Sequence, residues 1–142
     1  MFLHFGWMHI VFNLLWTWEV GRRIEQLAGT STLAAVVLVS SLIANLTQYV
    51  MSGPGLFGGM SGVVFGLLGF AFVWDRGMKP ATGLVPGIYA FMLVFLVLGF
   101  TGVFNFLGEG ALANGAHLGG LVAGLATGAT VVLLNRLFDR AA

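Results

Sequence analysis

The chain has 142 residues, of which 58% are hydrophobic and 8% charged, with a formal net charge of +1 and a mean hydropathy of +0.99. A water-soluble domain carries roughly a quarter charged residues, so this composition excludes a water-facing surface and implies an integral membrane protein. The small net charge gives no footprint for nucleic acid, and the absence of cysteine excludes disulfides, thiolate catalysis and thiolate-bound zinc.

Five apolar stretches follow in chain order, at 5–20, 33–51, 60–74, 84–107 and 111–134. A membrane-crossing helix needs about 20 residues; the first and third stretches are short and must gain length from their flanks. The opening MFLHFGWMHI has neither the basic start nor the small-residue cleavage site of a signal peptide. It enters apolar material almost at once, as if upstream sequence were absent. Arg22 and Arg23 follow the first stretch, Arg76 and Lys79 the third, and Arg136 and Arg140 the fifth; the connections 52–59 and 108–110 carry no Lys or Arg. The positive-inside rule makes the three basic connections cytoplasmic and the N-terminus and the other two loops external. The expected fold is all-α, a polytopic membrane helix bundle forming one domain over 1–142. Five spans with an external N-terminus are what remains if a first span has been removed.

The polar residues inside these stretches carry the chemistry, because a polar group in a span is costly and faces the bundle interior. In the first stretch, His9 and Asn13 are four residues apart and share one helical face. The third contains GGMSGVVFGLLG, residues 58–69, in which Ser61 precedes a row of small residues at Gly62, Gly66 and Gly69. The fifth contains His117 followed by Gly120, Gly124 and Gly128 in a GxxxGxxxG row. Glycine rows let membrane helices approach closely; if these two rows pack together, Ser61 and His117 meet. A neutral imidazole can then take the serine proton and create a nucleophile. Glu19, Glu25, Asp75 and Asp139 lie toward the cytoplasmic side and Glu109 in an external loop, so the expected pair is a Ser–His dyad without an acid. Phe65, one turn from Ser61, is placed to stack on the imidazole. Gly58, Gly59 and Met60 precede Ser61 at a helix start, where free amides and the helix dipole favour an oxyanion, and His9 and Asn13 can add side-chain donors.

Plainer readings stand beside these. Ser61 and the glycines can be packing residues, His117 a structural histidine, and His9 and Asn13 interhelical glue. Ser40 and Gln48 suggest a place for water near the site, and Asn114 a cap for the last helix or a loop residue. His4 has no evident partner. Trp7, Trp16, Trp18 and Trp74 read as interface anchors or lipid-facing bulk.

Three segments together resemble a known family. GGMSG is similar to the GxSG motif of rhomboid intramembrane serine proteases, MHIVFN to their HxxxN motif in the second transmembrane helix, and AHLGGLVAG to their AHxxGxxxG motif in the sixth. The resemblance runs from about residue 4 to 134. It implies a rhomboid-like core, with Ser61 as nucleophile, His117 as base, and an oxyanion hole made by His9, Asn13 and the Ser61 amide. Gly59, Met60, Phe65, Gly120 and Gly124 would support the site. It further implies hydrolysis of peptide bonds in or beside the transmembrane segments of protein substrates, within the lipid bilayer and with no metal, cofactor or nucleic acid. The corresponding location is a bacterial inner membrane, with the active site toward its outer side.

The chain departs from the family pattern in two respects. Phe65 stands where members commonly carry tyrosine. Only spans two to six of a six-span core are matched, so Met1 is expected to be an internal methionine and the protease domain N-terminally truncated. The fourth stretch corresponds to a helix treated in the family as a lateral gate. Competing functions are a rhomboid-like pseudoprotease or inactive fragment that binds transmembrane clients without cleavage, and a channel or small transporter subunit. The apolar inner half argues against the last.

Overall fold

The computed structural model describes residues 2–4, 6–106 and 112–139. The expectations for Glu109 with its loop 108–110, and for Arg140, lie outside the described residues, as does the side chain of Asp139. The elements are α1 (Trp7–Ala28), α2 (Thr30–Ser52), α3 (Ser61–Gly77), α4 (Pro86–Phe100), the four-residue α5 (Val103–Phe106) and α6 (Asn114–Asp139), with no strand among the described residues. Four of the apolar stretches become one helix each and the fourth becomes two, and α2 and α6 are long and apolar enough to cross a membrane by themselves.

Two boundaries differ from the sequence reading. The first helix does not stop near residue 20 but runs on through Arg22 and Arg23 to Ala28. Glu19 sustains this polar turn by pairing with Arg22 at i+3 (2.8 Å) and with Arg23 at i+4. Gly29, at φ +86°, then reverses the chain into α2. The fourth stretch is not one helix over 84–107: α4 begins at Pro86, ends at Phe100, and Gly102 at φ +77° breaks it from α5.

α3 is the central element. Eleven of its 17 residues are buried, and its Val63, Phe65, Leu67 and Phe70 form the core with Val20 and Ile24 of α1 and Val36 of α2. The α3–α6 contact is made by backbone. A Cβ on Gly120 would overlap the Gly62 carbonyl oxygen, and one on Gly124 would overlap that of Gly66. The two glycine rows therefore meet in the expected register at these positions, while Gly128 rests on Phe70 and Val73 rather than on Gly69. Gly66 also makes room for Ser40 of α2. The surface is apolar in turn: Trp7, Trp18, Leu42, Val50, Phe91 and Phe138 all point outward. A closely packed interior with glycines at the α3–α6 contact, inside a greasy exterior, suits a solvent of hydrocarbon. Trp74 is not an interface anchor; it is buried and its Nε1 donates to the Pro80 carbonyl at 3.0 Å.

This packing makes a stability prediction. Gly124→Val drives a side chain into backbone and should lower stability by about 1–3 kcal/mol or more. Gly87→Ala, at a position with open space around it, should leave the melting temperature in detergent micelles unchanged.

Candidate active site

The turn into α3 sets the site. Gly59 adopts φ +106°, which L side chains rarely adopt, and Met60 is the N-cap with no side-chain hydrogen bond to the helix end. The Val64 N–H donates to the Met60 carbonyl at 2.9 Å. The amides of Ser61, Gly62 and Val63 precede that first helical bond and have no intrahelical acceptor. This turn is packed from α1. A Cβ on Gly59 would lie 2.5 Å from His9 Nε2 and 3.7 Å from Asn13 Nδ2. His9 and Asn13 thus share one face, as their spacing predicts, and that face lies against the residues just before Ser61.

Asn13 is buried, and its Nδ2 donates to the His9 carbonyl at 2.8 Å. A side-chain amide has two N–H groups, so this bond orients Asn13 and leaves a second donor. His4, expected to have no partner, packs its ring edge-on against His9 at 5.0 Å.

α6 supplies the other half. His117 is buried, with its Nε2 2.7 Å from Ser61 Oγ. The Phe65 ring stacks on the imidazole at 4.8 Å and 27°, and Phe95 of α4 stands at 6.0 Å. Nδ1 has no hydrogen-bond partner. The imidazole is flanked by aromatic rings, and among the described residues no carboxylate is hydrogen-bonded to it. In the Nδ1–H tautomer, Nε2 accepts the Ser61 O–H, which is the arrangement for transferring that proton.

Other sequence expectations fare differently. Gln48 is occupied by structure: its Oε1 accepts the Ala116 N–H at 3.0 Å, and its Nε2 donates to Ser52 Oγ at 3.0 Å. Ser40 is fully buried against Gly66 and its Oγ has no partner. The polar cavity behind the Ser61 turn is lined instead by Ser41 and Asn45 with Gly58, Gly59 and Gly62, and its volume of about 10 Å³ is close to the space of one water. The four-residue spacing of Ser41 and Asn45 is the sequence signal for this pair. Asn114 caps nothing by its side chain; its Nδ2 donates to the Gly99 carbonyl at 2.7 Å and ties the end of α4 to α6. Among the described residues no cluster of three His, Asp or Glu is placed to hold a metal ion.

A family model described as "Rhomboid domain" matches residues 1–134. A protein named rhomboid protease GlpG from Klebsiella pneumoniae is 43% identical over 142 residues, covering 98% of this chain and 48% of the relative. Its namesake from Salmonella choleraesuis is 43% identical over 129 residues, covering 89% of this chain and 44% of the relative. The chain spans about half the length of the curated relatives it matches.

The turn geometry can be tested by substitution. Gly59→Ala combines a strained φ with a clash against His9 and should slow fluorophosphonate modification of Ser61 by about tenfold or more. Gly55→Ala, in open space, should leave the labelling rate unchanged in the same assay.

Proposed function

The chain belongs to the rhomboid family, and from that premise we propose that it is an intramembrane serine endopeptidase working through Ser61 and His117. The observation that supports this most is the 2.7 Å contact between His117 Nε2 and Ser61 Oγ. The chain is an integral membrane protein. Arg22, Arg23, Arg76, Lys79 and Arg136 lie in the halves of the bundle remote from Ser61 in sequence order along each helix. Under the positive-inside rule this orients Ser61 toward the outer side of a bacterial inner membrane.

The reaction proceeds as acyl transfer. Ser61 Oγ attacks the scissile carbonyl of a transmembrane substrate as His117 Nε2 takes its proton. The carbonyl oxygen becomes an oxyanion, stabilised by the Ser61 amide at the start of α3 and by donors from His9 and Asn13. His117 returns the proton to the leaving amine, the C–N bond breaks, and an acyl-Ser61 ester remains. A water, deprotonated by His117, attacks the ester and releases the new carboxyl terminus. Phe65 keeps the imidazole in plane with its target through ring stacking, which does not need a phenol hydroxyl.

Cleavage of a transmembrane reporter in proteoliposomes tests this reading. Ser61→Ala and His117→Ala should each reduce cleavage to background, and Asn13→Ala should lower it by about 10²-fold, as for loss of one oxyanion donor. Serine-independent cleavage, or reporter binding with no cleavage by the parent chain, would refute it. Phe65→Tyr should retain activity within about threefold, whereas Phe65→Ala should lose most of it because the imidazole loses its stacking partner.

A further inference from the structure

α3 carries one stripe that runs most of its length. Phe65, Gly69, Phe72 and Arg76 follow one another at intervals of three or four residues, so they share a helical face. The first three line an apolar cavity of about 200 Å³, which Leu121 of α6 and Met92 and Leu93 of α4 close from the other sides. An apolar space of about 150 Å³ stays dry and takes up a benzene-sized guest, so this one calls for an apolar occupant. α4 covers it loosely: only Met92, Leu96 and Gly99 of its 15 residues are buried. Leu93, on the cavity wall, is 57% exposed, which brings one side of the cavity to the lipid-facing surface.

The stripe ends in a charge. The Arg76 guanidinium lies over the Phe72 ring, 3.4 Å from its centroid, and its Nη1 donates to the Phe72 carbonyl at 3.2 Å. A guanidinium has five N–H donors, so most remain for another acceptor. Among the described residues Arg76 makes no ion pair, whereas Arg22 and Arg23 of α1 both pair with Glu19. The Asp75 carboxylate beside Arg76 is taken up elsewhere: it accepts from the Thr82 N–H at 2.7 Å, Thr82 Oγ1 at 2.9 Å and the Tyr89 hydroxyl at 2.7 Å. More positive charge gathers at this end. Arg136 of α6 donates through Nη2 to the carbonyl of Gly77, the residue after Arg76, at 3.1 Å, and the exposed Lys79 follows.

A cation near the C-terminus of α3 complements the helix dipole, but the dipole does not account for an apolar cavity one turn away. Cation and cavity together are complementary to a molecule with a negative head and an apolar tail, and the surrounding bilayer supplies one. We infer that α3, α4 and α6 form a binding site for one anionic phospholipid of the cytoplasmic leaflet, with its phosphate on Arg76 and one acyl chain in the cavity beside Phe72. The phosphate oxygens accept from the free guanidinium donors. The acyl chain lies against Phe72 and Leu121 and reaches toward Phe65, the ring stacked on His117. The site uses no chemistry of Ser61 and stands apart from the protease reading; only the leaflet rests on the orientation proposed above.

Native mass spectrometry of the whole chain, released from micelles holding equal amounts of dioleoyl phosphatidylglycerol and dioleoyl phosphatidylcholine, tests the site. The chain should retain one phosphatidylglycerol, in preference to phosphatidylcholine by about tenfold or more, the scale of hydrogen bonds between charged groups. Arg76→Gln should abolish that preference. Leu93→Trp, which fills the mouth of the cavity, should strip the retained lipid although Arg76 is intact. Both positions are exposed, so neither variant disturbs the core, and Arg76→Gln decides the matter alone if the second fails to fold. Arg22→Gln, at a cation already paired with Glu19, should change nothing. A large excess of glycerol phosphate, which has the head but no tail, should not displace the lipid. Equal retention of the two lipids, a preference that survives Arg76→Gln or is lost equally in Arg22→Gln, or retention that survives Leu93→Trp would overturn the inference. Displacement by glycerol phosphate would overturn the seating of the acyl chain.

Discussion

In hydrocarbon, two helices gain nothing by hiding apolar side chains from water, so α3 and α6 must adhere by fitting closely. Their glycines allow it. The Gly120 and Gly124 backbone lies on the carbonyls of Gly62 and Gly66 with no room for a methyl group. Every other feature of the molecule is arranged around that contact. It fixes the axial register of two helices, and register places Ser61, just before one glycine row, opposite His117, one turn before the other. A slip of a single residue along either helix would separate hydroxyl from imidazole by rise and by rotation together.

The pair so formed has an unusual support. A carboxylate is the common partner for a histidine that takes a serine proton, and here none is near among the described residues. A buried carboxylate at that depth would itself demand a partner for its charge. Phe65 and Phe95 instead confine the imidazole by their faces and edges, which costs no desolvated charge. Polar satisfaction is concentrated elsewhere. The start of α6 is capped from α2 by Gln48, and the amides at the start of α3 have no intrahelical acceptor.

Much of this is legible in the sequence, because the signals are local. Apolar stretches mark the helices, four-residue spacing puts His9 and Asn13 on one face, and the two glycine rows set the register of α3 on α6. What escapes is set by contacts distant in sequence. Trp74 reads as an interface residue until Pro80, folded back from the next loop, supplies an acceptor for its indole. Gln48 reads as a place for water and Asn114 as a cap or a loop residue, but each bonds backbone on another helix. Asp75 reads only as an acid too far from Ser61 to serve it, and its three donors come from residues seven and fourteen positions on. The extension of α1 escapes for a different reason: a run of charges reads as the end of a span, although i+3 and i+4 ion pairs let the helix continue past it.

Ser61 and His117 are 56 residues apart in the chain, and the second lies on α6, which follows the other five helices during synthesis. While α1 to α5 are being inserted, the serine stands at its turn without His117. Only when α6 has left the ribosome and docked on α3 does the hydroxyl acquire a partner. The order of the elements therefore acts as a timer that keeps Ser61 and His117 apart until α6 has been made.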